Sequence, residues 1–303
     1  VNHESRHRAS RTRQAATGRT ARDRARRELS QNFLVDSDTI RRYARSVGDG
    51  PGGLVVEAGA GDGRVTAALA ARADRVVAYE LDPVWAARLR ERCRGLGNVS
   101  CVTGDFLRAR PPAETFHLAG NIPFGATSRI IGWALEADGL ASATLITQLE
   151  YARKRTGDYG RWSRLTVETW PAFSWRLAGR IPRTRFRPVP RVDSAVLRID
   201  RRDRPLLPPS AIGAYRRCVE LGFGGKGGTL YASLRREHSR ARLDAAFRAA
   251  GLTRDTVVAY VHPDAWITLY RVLDGLPPLA SPPLASPPLT PPEGADRGGR
   301  GRG

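Results

Sequence analysis

The segment Gly120-Asn121-Ile122-Pro123-Phe124 carries three groups that together can handle a planar amine. Asn121 offers an amide oxygen, Ile122 a main-chain carbonyl and Phe124 a flat ring. Pro123 restricts the residue before it to extended geometry and so aims that carbonyl. An amine on an aromatic base, such as N6 of adenine, is a poor nucleophile because its lone pair is delocalised into the ring. Two acceptors, one for each N6 hydrogen, draw the nitrogen toward a pyramidal state whose lone pair can attack a methyl group in line. Phe124 would stack on the base. A turn that merely ends a strand is the plainer reading, and it has no need of Asn, Pro and an aromatic together.

A second constellation lies upstream. Leu54-Val-Val-Glu57-Ala-Gly59-Ala-Gly61-Asp62-Gly63 passes from an apolar run through a glycine turn into an amphipathic run, and a further apolar run ends at Glu80. This is a β-turn-α-β unit of the nucleotide-binding kind. Its glycines let the backbone turn tightly and approach a ligand that a Cβ would block, and a carboxylate at Glu80 can take both hydroxyls of a ribose. Glu57, Gly59 and Gly61 are the candidate lining. The glycine spacing is not that of dinucleotide folds. Asp62 inside the turn opposes a pyrophosphate, which needs a helix N-terminus free for an anion. A ligand with a sulfonium or amino group suits the turn better, which favours S-adenosylmethionine over NAD. Asp105, at the end of a third apolar run, can accept from the exocyclic amine of a bound adenine with Phe106 beside the ring; a helix cap is the alternative for Asp105. Gln31, Asn32 and Phe33 precede the glycine turn, where their amides can bond the cofactor's carboxylate end or simply close a polar loop over the sheet edge.

The elements that must position these groups are strands over 54–56, 76–79, 99–103, 116–119 and 194–200, and helices over 39–47 and 83–93. Asp36 or Ser37 caps the first helix, and Pro83 opens the second. Residues 201–209, charged and proline-rich, mark a boundary. Beyond them the pattern turns helical over 211–221, 230–236, 241–250 and 264–273. The expected organisation is a basic arm over 1–28, an α/β domain over 29–202, a small all-α domain over 203–275 and a proline-rich tail over 276–303.

Charge narrows the partners. Lys and Arg number 50 against 30 Asp and Glu, a net +20 carried almost wholly by arginine. Such a balance implies a polyanion, most simply nucleic acid. Arg183, Arg185 and Arg187 interleave with Phe186, and residues 151–161 repeat the basic-aromatic mixture, which suits single-stranded RNA; Phe186 packed inward is the plain alternative. Cys93, Cys101 and Cys218 show no paired spacing and fit buried thiols in a reducing compartment. His238 and His262 lack metal spacing, so no metal is expected. No apolar run is long enough to span a membrane, and the first residues have no apolar core, so the expected location is the cytoplasm.

Taken in order, Gln31-Asn32-Phe33, Glu57-x-Gly59-x-Gly61-x-Gly63, Glu80, Gly104-Asp105-Phe106 and Asn121-Ile122-Pro123-Phe124 resemble the ribosomal RNA adenine N6-methyltransferases. Residues 148–161 and 183–194 are similar to the Erm branch, which methylates 23S rRNA and confers macrolide-lincosamide-streptogramin resistance. The resemblance implies a Rossmann-like class I methyltransferase sheet with a smaller C-terminal helical domain forming one wall of an RNA cleft. It implies S-adenosylmethionine as cofactor, held by Gly59, Gly61, Glu80 and Asp105, and a catalytic loop of Asn121, Ile122 and Phe124. Phe186 would be a second aromatic against the flipped base. The expected partner is 23S rRNA, protein-free or in an assembling large subunit, met by a monomer. Phe124 replaces the Tyr of many relatives; stacking survives that change, a hydroxyl's role does not. A small-subunit (16S) rRNA dimethyladenosine transferase and a non-catalytic nucleic-acid-binding relative are the alternatives. A small-molecule methylase leaves the charge unexplained, and Ile122 departs from the Pro-Pro loop of adenine-specific DNA methylases.

Overall fold

The computed structural model describes residues 32–48, 50, 52–225 and 228–279; the basic arm, Gln31 and the tail beyond residue 279 lie outside them. A short strand β1 (Phe33–Leu34) leads into helix α1 (Ser37–Arg45). Asp36 caps that helix by accepting from the Thr39 amide at 2.9 Å, the second of the two caps the sequence offered being unnecessary. Strand β2 (Leu54–Ala58), helix α2 (Arg64–Ala70) and strand β3 (Arg75–Glu80) form the expected nucleotide-binding unit. Helix α3 (Pro83–Arg92) and strand β4 (Val99–Thr103) follow, and strand β5 (Phe116–Asn121) ends in the Asn121 turn.

Beyond β5 come helix α4 (Thr127–Glu136), strand β6 (Leu140–Gln148), helices α5 (Leu149–Thr156) and α6 (Arg164–Thr169), and strand β7 (Phe173–Ile181). Strand β8 (Phe186–Arg187) pairs antiparallel with β1 in a two-stranded ribbon, and strand β9 (Ser194–Arg201) returns to the main sheet. The main sheet runs β4-β3-β2-β5-β6-β9-β7. Its first five strands are parallel, and β9 and β7 are antiparallel. Every residue of β2 is buried, as a parallel strand covered by helices on both faces demands. The last strand in the sequence, β9, lies inside the sheet, with β7 at the edge.

Four helices complete the fold: α7 (Pro209–Phe223), α8 (Leu230–Leu234), α9 (Arg240–Ala249) and α10 (Pro263–Leu273). Trp266 of α10 is fully buried and stacks on Phe223 of α7 with ring centroids 5.9 Å apart. The apolar side chains of the four helices belong to the same core as β2, β5, β6, β7 and β9. Hydrogen bonds join them to α6 and the residue that ends it: Trp170 Nε1 donates to Asp264 at 2.6 Å, the Tyr215 hydroxyl donates to the Val167 carbonyl at 2.9 Å, and Arg164 Nη1 donates to Glu220 at 3.4 Å.

Gly120 sets the closest approach within the sheet. A Cβ there would stand 2.4 Å from the Ala58 carbonyl oxygen, a backbone atom that cannot swing aside. A Cβ on Gly125 would meet nothing within 4 Å. Gly120→Ala should therefore cost about 2 kcal/mol or more, and Gly125→Ala about 0.5 kcal/mol or less. Urea denaturation of both variants checks this; equal losses would show that the strand ends can part freely.

Candidate active site

The C-terminal ends of β2 to β5 open into a cavity of about 430 Å³, where ligands of doubly wound sheets sit and within the range of small-molecule sites. Gly59, Gly61 and Gly63 form its turn, all with positive φ. A Cβ on Gly61 would meet the Phe33 ring at 2.7 Å, so the turn lies directly beneath that ring. Phe33 in turn packs on Trp85 with ring centroids 4.3 Å apart.

Glu57 near the end of β2 and Glu80 at the end of β3 both line the cavity. Glu80 accepts from the Gly61 amide through Oε2 at 2.7 Å and from the Asp82 amide through Oε1 at 2.9 Å. Each oxygen can accept a second bond, so the carboxylate is aimed before any ligand arrives. Glu57 is 1% exposed, and its Oε2 accepts from the Thr66 hydroxyl at 2.5 Å. Burial, opposed by that hydrogen bond and assisted by the charge of Glu80, pushes the Glu57 carboxyl up to about 7. Burial also raises Glu80, against the bonds from Asp82 and Gly61. Asp62 is less available than its place in the sequence suggested. Arg64 Nε lies 2.8 Å from it and Arg92 Nη2 3.3 Å, so much of its charge is matched within the protein and its repulsion of a phosphate is correspondingly weaker.

Asp105 caps a short turn, its Oδ1 accepting from the Leu107 amide at 3.0 Å. The capping reading and the ligand reading coexist, since the carboxylate keeps a second oxygen and lines the cavity. Phe106 lines it too, but its ring is buried against Trp133 at 4.4 Å and Tyr79 at 5.6 Å, a wall held from behind. Leu81 was not singled out in the sequence; it is 50% exposed at the cavity rim beside Glu80. An apolar residue directly after an acidic strand end was the available signal.

In the turn after β5, Asn121 Nδ2 donates to the Asn32 carbonyl at 2.7 Å. Because that partner can only accept, the bond fixes which end of the amide is nitrogen and leaves Oδ1 as the acceptor. Ile122 is anchored by a side chain 2% exposed, and Phe124 is half-buried on the cavity wall. Asn32 and Phe33 also line the cavity.

Phe186 requires a correction. It touches the cavity, yet its ring is 1% exposed and belongs to the core. The inward-packed alternative is the one found: Phe186 pairs with Leu34 of β1, and both side chains lie in one buried cluster. The neighbouring arginines are partly engaged as well: Arg185 Nη1 holds Asp36 at 2.7 Å. Among the described residues no cluster of His, Cys, Asp or Glu has metal-binding geometry, and no helix is long and apolar enough to cross a membrane.

The buried Glu57 makes stability depend on pH with a definite sign. Between its ordinary value of 4.5 and about 7 the folded chain keeps a proton that the unfolded chain has lost. Stability is then greatest below that window and falls as pH rises through it, by on the order of 3 kcal/mol. Glu57→Gln preserves an acceptor for Thr66 and should remove this fall. Denaturation midpoints from pH 5 to 8 test it; identical pH profiles for the two proteins would refute a protonated Glu57.

A model of the family described as ribosomal RNA adenine dimethylase matches residues 22–274. An rRNA adenine N-6-methyltransferase of Streptomyces fradiae is 60% identical over 252 residues, covering 82% of this chain and 79% of that protein. The mycinamicin-resistance protein MyrB of Micromonospora griseorubida is 36% identical over 252 residues, covering 82% of this chain and 78% of that protein. The crystal structure of the 23S rRNA methyltransferase ErmE superposes with a TM-score of 0.78 at 50% identity, covering 80% of this chain and 100% of that one. With its glycine turn, paired carboxylates and Asn121 loop in one cavity, the chain belongs to the ribosomal RNA adenine dimethylase family.

Proposed function

We propose that this protein transfers a methyl group from S-adenosylmethionine to N6 of one adenine in 23S rRNA, as a cytoplasmic monomer, and that the modification confers macrolide-type resistance. The observation that carries this reading is the Asn121 amide, oriented by the Asn32 carbonyl, in one cavity with Glu80 and Asp105. The 50% identity to a 23S rRNA methyltransferase and the likeness to a mycinamicin-resistance protein support the choice of RNA and of phenotype.

The residues fit the cofactor. Glu80, held by two backbone amides, takes the ribose hydroxyls, and Gly59 and Gly61 let the backbone approach. Asp105 accepts from the adenine amine, with Leu81 and Phe106 as apolar walls. Asn32, with Gln31 beside it in sequence, serves the methionine end. Glu80 places negative charge near a ligand that is cationic at sulfur and nitrogen. When bound, S-adenosylmethionine supplies the methyl group as an electrophile.

The chain's own part in the reaction is to hold the amine. A flipped adenine stacks on Phe124, with Phe186 backing the wall from the core. Asn121 Oδ1 and the Ile122 carbonyl each accept one N6 hydrogen, which frees the lone pair to form the new C–N bond as the C–S bond breaks. The surplus N6 proton then leaves to water. Asn121→Ala should keep cofactor affinity within a few-fold yet lose on the order of 10²-fold in turnover, the scale of one positioned hydrogen bond. Calorimetry beside single-turnover methylation checks both halves, and near-normal turnover would end the amine-acceptor mechanism.

Substrate choice is tested on separated, protein-free rRNAs with labelled methyl groups, followed by primer extension. Label is expected at a single adenine of the peptidyl-transferase loop of large-subunit RNA, with assembled ribosomes poor substrates. Label confined to two adjacent adenines near the small-subunit 3′ end would point to the biogenesis enzyme instead.

A further inference from the structure

Tyr43 stands outside the cavity lining, yet its hydroxyl joins the two strands that meet beside the Asn121 loop. It accepts from the Gly120 amide of β5 at 2.7 Å and donates to the Thr144 carbonyl of β6 at 2.6 Å. Those two residues adjoin in the β5–β6 ladder, where Ala119 faces Thr144 and Gly120 faces Leu145. One side-chain oxygen thus bridges neighbouring parallel strands one residue before Asn121. Tyr43 is 2% exposed, and burial raises its phenol above the ordinary range, so it stays a protonated donor.

Helix α1, which carries it, is itself secured. Arg198 Nη1 of β9 donates to the carbonyls of Ser46 and Gly48 at 2.6 and 2.8 Å, and the Thr144 hydroxyl donates to Ser46 at 3.3 Å. On its other side Gly120 abuts the Ala58 carbonyl of β2. The strand end is therefore held between β2 and the tyrosine hydroxyl. A shift there would carry both acceptors with it, since Asn121 and Ile122 follow directly in the chain.

We propose that Tyr43 is a positioning residue for methyl transfer: by bridging Gly120 to Thr144 it sets where the Asn121 amide oxygen and the Ile122 carbonyl stand relative to the target amine. This rests on the reading that those two groups hold N6. Small displacements of reacting groups are expensive in rate while leaving binding nearly intact. Tyr43 lies outside the cavity lining, so its influence passes through the loop.

The test is a double-mutant cycle of Y43F and N121A, with single-turnover methylation of protein-free large-subunit rRNA, KM for that RNA, cofactor affinity by calorimetry and Tm. Y43F should lower turnover roughly 10-fold while KM and cofactor affinity stay within about two-fold. In the N121A background Y43F should cost clearly less than its full 10-fold, because one of the two groups it positions is gone. Unchanged turnover in Y43F overturns the proposal, as does a full additional loss on top of N121A, which would mark general support of the sheet. A slow Y43F beside a normal N121A overturns the amine-acceptor reading itself, and with it this route. Should Y43F not fold, 3-fluorotyrosine at position 43 keeps the ring and hydroxyl while weakening the oxygen as an acceptor. A drop of about two-fold in turnover at constant Tm is then expected, and an unchanged rate overturns the proposal.

Discussion

The hydrogen bond from the Asn121 side chain to the Asn32 carbonyl decides what this strand end can do. A primary amide presents a donor and an acceptor on one rotatable group, and in water either end serves equally. Assigning the nitrogen to a main-chain carbonyl removes that ambiguity and commits the oxygen to accept. The bond needs the chain before α1 to return over the ends of β2 and β5. That return is secured by the β1–β8 ribbon, by the Val35 amide on the Arg185 carbonyl at 3.0 Å, and by the Asp36–Arg185 pair. Residues about 150 positions downstream therefore serve the orientation of one side chain.

Most of the first half of the fold was legible because strong local signals sit at its element ends. Three glycines with positive φ, Pro83 and Pro123 each fix a boundary, and the acidic strand ends follow from the sheet's polarity. Glu80, Asp105 and Asn121 converge on one cavity because successive parallel strands deliver their C-terminal ends to one edge.

Phe186 and Tyr43 were not legible, for a common reason. The burial of Phe186 depends on pairing with Leu34, far upstream, and nothing local distinguishes a covered aromatic from a stacking one. Tyr43 occupies a buried position of an amphipathic helix, where any large apolar side chain would fit the pattern. Its hydroxyl acquires meaning only when β5 and β6 arrive. Strands β6 and β7 were likewise missed, since an apolar run such as that of β6 does not declare its period when both faces are buried. The continuity of the core from the sheet into α7–α10 is a tertiary fact that a break in composition near residue 203 cannot reveal.

Charge distribution ties the site to its proposed substrate. The chain carries a net +20, yet Glu57, Glu80, Asp82 and Asp105 line the cavity with Asp62, and Arg64, paired to Asp62, is the cation that joins them. A basic exterior concentrates a polyanion at the surface, while an acidic interior disfavours phosphate and favours a cation. On the reading proposed here, the sulfonium partitions inward, the RNA backbone stays on the rim, and the part of the RNA able to enter is an uncharged base swung out of its stack. Arginines engaged in internal bonds, among them Arg185, Arg198 and Arg201, contribute to the long-range field as fully as exposed ones, because the field sums over charges whether or not each touches phosphate. Attraction of the RNA and exclusion of its backbone from the reaction cavity are thus consequences of one segregation of charge: carboxylates gathered in the cavity of a chain whose balance is otherwise strongly positive.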